Sequence, residues 1–416
     1  MRKFISLLLL LPMLCCHPDS KAKWQNYFSN NQVQEIEVAV YSNSILVPVN
    51  IGGKVRNFLL DTGSPTFISP DLSKELKLEI SNDSISALDY YGNSRKIPTT
   101  IIPELTLGNT KYENIKASIT RPIQSFKPCN REIDGYLGSD FFTEKVLQID
   151  IKNQMIRISS SIENIDLEEH QASNFDFLSE KQNTPLIYIY FPGEKAAEQV
   201  MFDTGSNNDF YRMRMSTLTQ LLEAGILAHN YIVDTLDQTA NRAGVFGKQK
   251  DSVNFQLELD TIQFIGTKIA HCPATTFSGG VKSVAGAPFL NLGIITLDYK
   301  NRRFYFQPYS KEPISLAPPF GMHLTHQNNR FVVHKIRPNS TAEINGIKQG
   351  YVLKEVNTIM MDSLSQCELI KGEWTSELRK DTIHFKFMNS ENRDIEITLT
   401  TDRLNTLVSN YSRGWD

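Results

Sequence analysis

The residues of this chain best placed for acid–base chemistry are two carboxylates in matching surroundings. Asp61-Thr62-Gly63-Ser64 recurs unchanged as Asp203-Thr204-Gly205-Ser206. One Asp-Thr-Gly is a common turn whose Asp caps nearby backbone amides. Two copies in like contexts point instead to a shared task. Carboxylates held about 4 Å apart repel by about 4 kcal/mol at an effective dielectric near 20, which separates their ionisations by roughly three pK units. One proton then stays on the pair over a wide acidic range. The neutral member can donate to a carbonyl while the ionised member takes a proton from water.

Positioning such a pair requires matching elements around each copy. Val47 to Gly53 and Phe58-Leu59-Leu60 read as a strand, a turn and a buried strand ending at Asp61. Leu186 to Phe191, Pro192-Gly193-Glu194 and Val200-Met201-Phe202 repeat that layout before Asp203. Tyr136-Leu137-Gly138-Ser139-Asp140-Phe141-Phe142 answers Val284-Ala285-Gly286-Ala287-Pro288-Phe289-Leu290 further on, so the repeat extends well beyond four letters. Each glycine landmark leads into a strand pair closed by a turn rich in Asn and Lys, Val146–Ile151 with Met155–Ile158 and Ile294–Asp298 with Arg303–Phe306.

These residues resemble the pepsin and retropepsin superfamily over roughly residues 35–309. The resemblance implies a mainly β, bilobal acid protease with duplicated lobes over 35–172 and 173–309, and Asp61 and Asp203 as its catalytic pair. It further implies that Thr62 and Thr204 bond across the two loops, that Gly63 and Gly205 allow close backbone passage, and that Ser64 and Ser206 each hold a catalytic oxygen. Serine hydrogen bonds to an ionised carboxylate would keep the pair acidic. The family covers its cleft with a first-lobe hairpin, and Asp89 to Asn93 fits that flap, with Tyr90 or Tyr91 above Gly92. Either ring reads equally well as ordinary packing. The second-lobe stretch from Thr239 to Gly247 reads as a polar loop.

A chain of 416 residues with net charge −3 carries no polyanion-binding signal, so nucleic acid is not an expected partner. No zinc-like Cys/His spacing, Walker loop or Rossmann glycine pattern occurs, and neither metal nor cofactor is expected. At the start, Arg2-Lys3, the apolar Phe4–Leu11 run and Pro12-Met13-Leu14-Cys15-Cys16 form a basic start and a short apolar core. This looks like a bacterial lipoprotein signal over residues 1–15 with a lipid on Cys16. Cleavage before Cys15, or an ordinary secretory signal, is the alternative. Residues 16–34 are polar and read as a flexible tether from a membrane in the cell envelope. Cys129, Cys272 and Cys367 remain, an odd number that cannot all pair internally. A Cys129–Cys272 bridge is one reading and buried free thiols the other.

Between Tyr309 and Pro319 the composition turns to Ser, Lys, Glu and Pro, which marks a linker over 310–319. The stretch Phe331 to Asn357, with Pro338-Asn339-Ser340-Thr341-Ala342, Gly346-Ile347 and Gly350-Tyr351-Val352-Leu353, resembles a PDZ domain. That resemblance implies a small α+β domain over 320–405, followed by a tail over 406–416. It maps a carboxylate-binding loop onto Phe320, Gly321 and Met322, a peptide-accepting strand from Met322, and a groove helix near Leu364–Ile370. Tyr351 stands where that family usually has Asp. The module reads either as a peptide-binding groove or as a piece docked on the protease.

Together these features predict an exported, lipid-anchored, monomeric aspartic endopeptidase acting on peptides or unfolded proteins, with a C-terminal peptide as possible ligand of the PDZ-like groove. The competing reading is a noncatalytic peptide-binding or scaffold lipoprotein that uses the same cleft and groove.

Overall fold

A computed structural model describes residues 33–88, 92–121, 128–179, 182–194, 196–236, 253–327, 330–380 and 382–400. The expected signal, Cys16, Tyr90, Tyr91, the 239–247 stretch and the C-terminal tail lie outside these residues.

The chain is mainly β, as its alternating apolar runs predict. In Ser44–Ile51, Val47, Val49 and Ile51 are buried while Pro48 and Asn50 are exposed, the period of two that a half-buried strand demands. The end of Lys54–Asp61 breaks that alternation because it is covered on both faces. Phe58 and Leu60 enter the main core, whereas Leu59 enters a satellite cluster with Tyr41, Leu46, Phe67, Ile133 and Tyr136.

The sequence repeat becomes a repeat of topology. In one sheet Ser44–Ile51 pairs with Lys54–Asp61, followed by Gly135–Gly138, Phe67–Ile68, Thr110–Ile119, Ser94–Leu107 and Ile80–Leu88. In another, Pro185–Tyr190, Ala197–Asp203, Val284–Gly286, Tyr211–Arg214, Thr267–Phe277, Asn254–Phe264 and Ile232–Leu236 follow in the same order. Both aspartate strands run parallel to their glycine strand with Asp opposite Gly, Asp61 to Gly138 and Asp203 to Gly286. The closing strand pairs merge into a third sheet, in which Val146–Asp150 pairs antiparallel with Gly293–Asp298 across the two halves. One hydrophobic core runs through both lobes.

The C-terminal part forms a separate sheet around its own core, which includes Phe320, Phe331, Leu353, Trp374 and Phe385. The helix expected near Leu364–Ile370 spans Gln366–Lys371. Ser365 and Glu368 form a reciprocal capping box at its start, and Gly372, at φ 69°, ends it. Tyr351 is buried in this core.

Two expectations need correction. The 310–319 stretch is not a free linker, because Ile314–Ser315 adds in parallel to Thr267–Phe277 and Ile314 and Leu316 are buried. Those two apolar side chains outweigh the polar composition around them. Nor does Cys129 bridge to Cys272. It pairs with Cys367, with 4.7 Å between the Cα atoms, while Cys272 lies fully buried and free inside the second lobe.

Candidate active site

Each aspartate is delivered by the end of a strand, and the two loops that follow lock together. The Thr62 N–H donates to Thr204 Oγ1 at 3.0 Å, and the Thr204 N–H donates to Thr62 Oγ1 at 3.0 Å. Each hydroxyl then donates onward to a strand carbonyl of the other lobe, Thr62 to Phe202 and Thr204 to Leu60, both at 2.8 Å. Both threonines are fully buried, so these four bonds have no competing water.

Glycine is required where the loops face each other. A Cβ at Gly63 would stand 2.3 Å from the Asp203 carboxyl carbon, and one at Gly205 would stand 2.6 Å from that of Asp61. The carboxyl groups therefore meet across the seam, within hydrogen-bonding reach of one another. Each also accepts the N–H two residues on, Gly63 to Asp61 at 2.9 Å and Gly205 to Asp203 at 2.8 Å.

The electrostatics of the pair are unequal. Burial, then the charge and hydrogen bond of Asp203, push Asp61 well above the usual carboxylate range, against the pull of the Gly63 N–H and the Ser64 hydroxyl. Burial also raises Asp203, but the Gly205 N–H, the bond from Asp61, the Ser206 N–H and the Arg212 guanidinium all favour its ionised form. Burial therefore raises both carboxyls, more strongly at Asp61, and the pair is set to hold one proton between them. The Ser64 hydroxyl acts on Asp61 in the expected direction, and burial acts against it more strongly. Ser206 helps Asp203 through its backbone N–H, a donor that any residue except proline would supply.

Behind the loops the lobes differ. The Ser139 N–H donates to Ser64 O at 3.0 Å and the Ala287 N–H to Ser206 O at 2.8 Å, the same bond in both halves. In the first lobe the Gly138 N–H donates to Thr66 Oγ1 at 3.1 Å, and Asp140 Oδ1 accepts both the Thr66 N–H and hydroxyl at 2.7 Å. The Ser139 hydroxyl adds a bond to Thr62 O. In the second lobe the Gly286 N–H goes to the Phe210 backbone carbonyl at 2.9 Å, and Pro288 occupies the place of Asp140. Burial raises Asp140 to about 6 despite its donors.

Sequence reasoning did not single out Asp140, Arg212 or Gln182. The last reaches from the lobe connection to donate to Gly63 O at 2.7 Å. The mismatch of Ser139-Asp140 with Ala287-Pro288 inside otherwise matching landmarks was the signal available for the first.

Other expected residues are placed as follows. The Ile80–Leu88 and Ser94–Leu107 strands form the expected hairpin, and Gly92 beyond it faces the second lobe, with its Cβ direction 3.4 Å from Gly280 N. Phe320 is buried at φ 54°, and the Gly321 N–H donates to Pro318 O at 3.0 Å. That amide is turned into its own loop and not outward as a carboxylate cradle would need, while Met322 begins the expected strand, an edge of its sheet. Among the described residues no group of three or more His, Cys, Asp and Glu could hold a metal ion, and no helix is long and apolar enough to cross a membrane.

A search of curated proteins found no match. Among solved structures, an aspartic proteinase from Irpex lacteus is similar at 12% identity and a TM-score of 0.41, over 67% of this chain and 98% of that one. Residues 47–141, which carry Asp61 and the Gly138 landmark, match the model of the aspartyl protease family.

Proposed function

We propose that this chain is an aspartic-type endopeptidase in which Asp61 and Asp203 share one proton. The reciprocal Thr62–Thr204 bonds, with each loop glycine set against the opposite carboxyl, carry this reading. Binding alone does not call for a buried, proton-sharing pair, because burying two carboxylates together costs free energy that only acid–base work uses. The match of residues 47–141 to an aspartyl protease family supports the same conclusion.

In this mechanism the ionised Asp203 takes a proton from a water seated between the carboxyls as its oxygen attacks the peptide carbonyl. Asp61 gives its proton to the carbonyl oxygen, forming a neutral tetrahedral diol and moving the negative charge to Asp61. Collapse of the diol breaks the C–N bond. The nitrogen takes a proton from Asp203, and a diol hydroxyl returns one to Asp61, which restores the starting state. No acyl-enzyme forms. Fixed N–H donors at both carboxyls keep them oriented through both transfers.

Export with a lipid at Cys16 is part of the proposal and rests on the basic and apolar start of the chain. A PDZ-like role in recruiting substrate rests on the edge strand Met322–Gln327 and on the presence of the Gln366–Lys371 helix in the same module. The inward Gly321 amide and the module's bonds to both lobes favour docking on the protease as its second reading.

The test is cleavage of denatured casein and of quenched peptides by the protein lacking its leader, between pH 3 and 8, with and without pepstatin. Pepstatin-sensitive cleavage that vanishes in Asp61→Asn and Asp203→Asn supports the assignment. Cleavage by both variants at the parental rate refutes it.

A further inference from the structure

The satellite cluster behind Leu59 is closed by residues from the C-terminal module. Cys367 and Ile370, on the Gln366–Lys371 helix, pack with Cys129 and Ala39 against Tyr41, Leu46, Leu59, Phe67, Ile133 and Tyr136. Leu59 lies two residues before Asp61, and Tyr136 two before Gly138, on paired strands. The Phe67 and Tyr136 rings pack against each other with centroids 4.0 Å apart and planes tilted by 32°. The helix thus covers the outer face of the two strands that set the position of Asp61.

Two further bonds hold it there: the Cys129–Cys367 disulfide, and the Ser42 hydroxyl, which donates to Ile370 O at 2.6 Å. The opposite side of the module is fixed to the second lobe. Arg337 pairs with Glu258, Lys335 donates to the Val233 carbonyl, and His334 Nε2 lies 3.4 Å from Asp234. The second lobe has Met201, Val284 and Arg212 at the positions of Leu59, Tyr136 and Phe67, and Met201 and Arg212 stay half-buried there.

We propose that the C-terminal module is a positioning element for one half of the catalytic pair, its Gln366–Lys371 helix holding the Asp61 strand in register through the Cys129–Cys367 clamp. The proposal rests on the hydrolytic reading for its effect on rate, but not for its effect on structure. Closing a cluster over Leu59 and Tyr136 removes their freedom to shift. A displacement approaching 1 Å at a reacting group can cost on the order of 100-fold in rate.

The test opens the clamp in the folded, leaderless protein with dithiothreitol. The dithiol closes to a cyclic disulfide as Cys129 and Cys367 each gain one electron and one proton, and thiol titration verifies that step. Hydrogen exchange is expected to speed up at the Leu59 and Tyr136 amides and to stay unchanged at Met201 and Val284. In the same samples kcat for a short peptide is expected to fall between about 10- and 100-fold with KM within about twofold. Cys129→Ser/Cys367→Ser should reproduce both effects, and Cys272→Ala neither.

Unchanged protection at Leu59 and Tyr136 after complete reduction overturns the proposal. So does equal loss of protection in both lobes, which marks a general stabiliser. Lobe-one-specific loss of protection in a protein that cleaves nothing before reduction supports the positioning role and sinks the hydrolytic reading instead.

Discussion

The two active-site loops share a backbone and differ in what braces it. Asp61 and Asp203 stand opposite Gly138 and Gly286 in the same register, and both loops receive the same N–H from the residue after that glycine. Behind Asp61, however, the bracing runs through side chains, from Asp140 to Thr66 to the Gly138 amide. Behind Asp203 it runs through the Phe210 carbonyl, and the nearby charge is Arg212. A duplicated scaffold can fix where two carboxylates sit while leaving their electrostatics free to diverge. That divergence gives the two carboxyls unequal surroundings for a shared proton.

The sharpest test of the comparison replaces the carboxylates themselves. Asp61→Asn and Asp203→Asn should each lower kcat/KM by at least about 100-fold, the scale of a lost general acid or base. If one of them retained parental rates in steady-state peptide hydrolysis, the loops would not act as a pair. Next come Thr62→Val and Thr204→Val, which each remove a hydroxyl that both accepts and donates across the seam. Each should cost about 1–3 kcal/mol in denaturant unfolding by leaving buried partners unmade, and the two costs should match. Unequal costs would show that the grip is less symmetric than its distances.

Asp140→Asn probes the braces. Burial raises the Asp140 pKa from 3.8 to about 6. A carboxyl whose folded pKa is raised contributes stability that is fully present below the unfolded value and is lost as pH rises through the folded one. The parent should therefore lose up to about 3 kcal/mol relative to Asp140→Asn between pH 4 and 7. Unfolding curves at several pH values read this directly, and a constant difference would remove Asp140 as a titrating brace. The smallest effect is expected at Arg212→Met. Loss of the guanidinium should raise the pKa of Asp203, which must be ionised to act, and move the acid limb of the kcat/KM profile to higher pH. A shift to lower pH would contradict the assignment of the charge to Asp203.

Most of the scaffold of the candidate site was legible because it is built from local signals that occur twice. Strand periodicity before each aspartate, a turn motif and a glycine landmark each carry a backbone requirement that sequence states directly. The mainly β architecture followed from those signals. The braces were harder to read, because Asp140 matters through Thr66, with which it has no sequence proximity. The disulfide was harder still. Cys129 and Cys272 each lie shortly before a glycine landmark, which suggested a partnership that the fold does not make, since Cys272 is enclosed in its own lobe. The composition of the 310–319 stretch misled for a related reason: two apolar residues among polar ones were enough to add a strand.

The antiparallel pairing of Val146–Asp150 with Gly293–Asp298 joins the halves within one polypeptide. A symmetric dimer of identical subunits would repeat every substitution on both sides of its axis, so a proline opposite one catalytic loop would force a proline opposite the other. Here each side can accumulate its own changes. Fusion of the halves permits two facing carboxylates in unequal surroundings, along with an appendage whose helix packs behind only one of their strands.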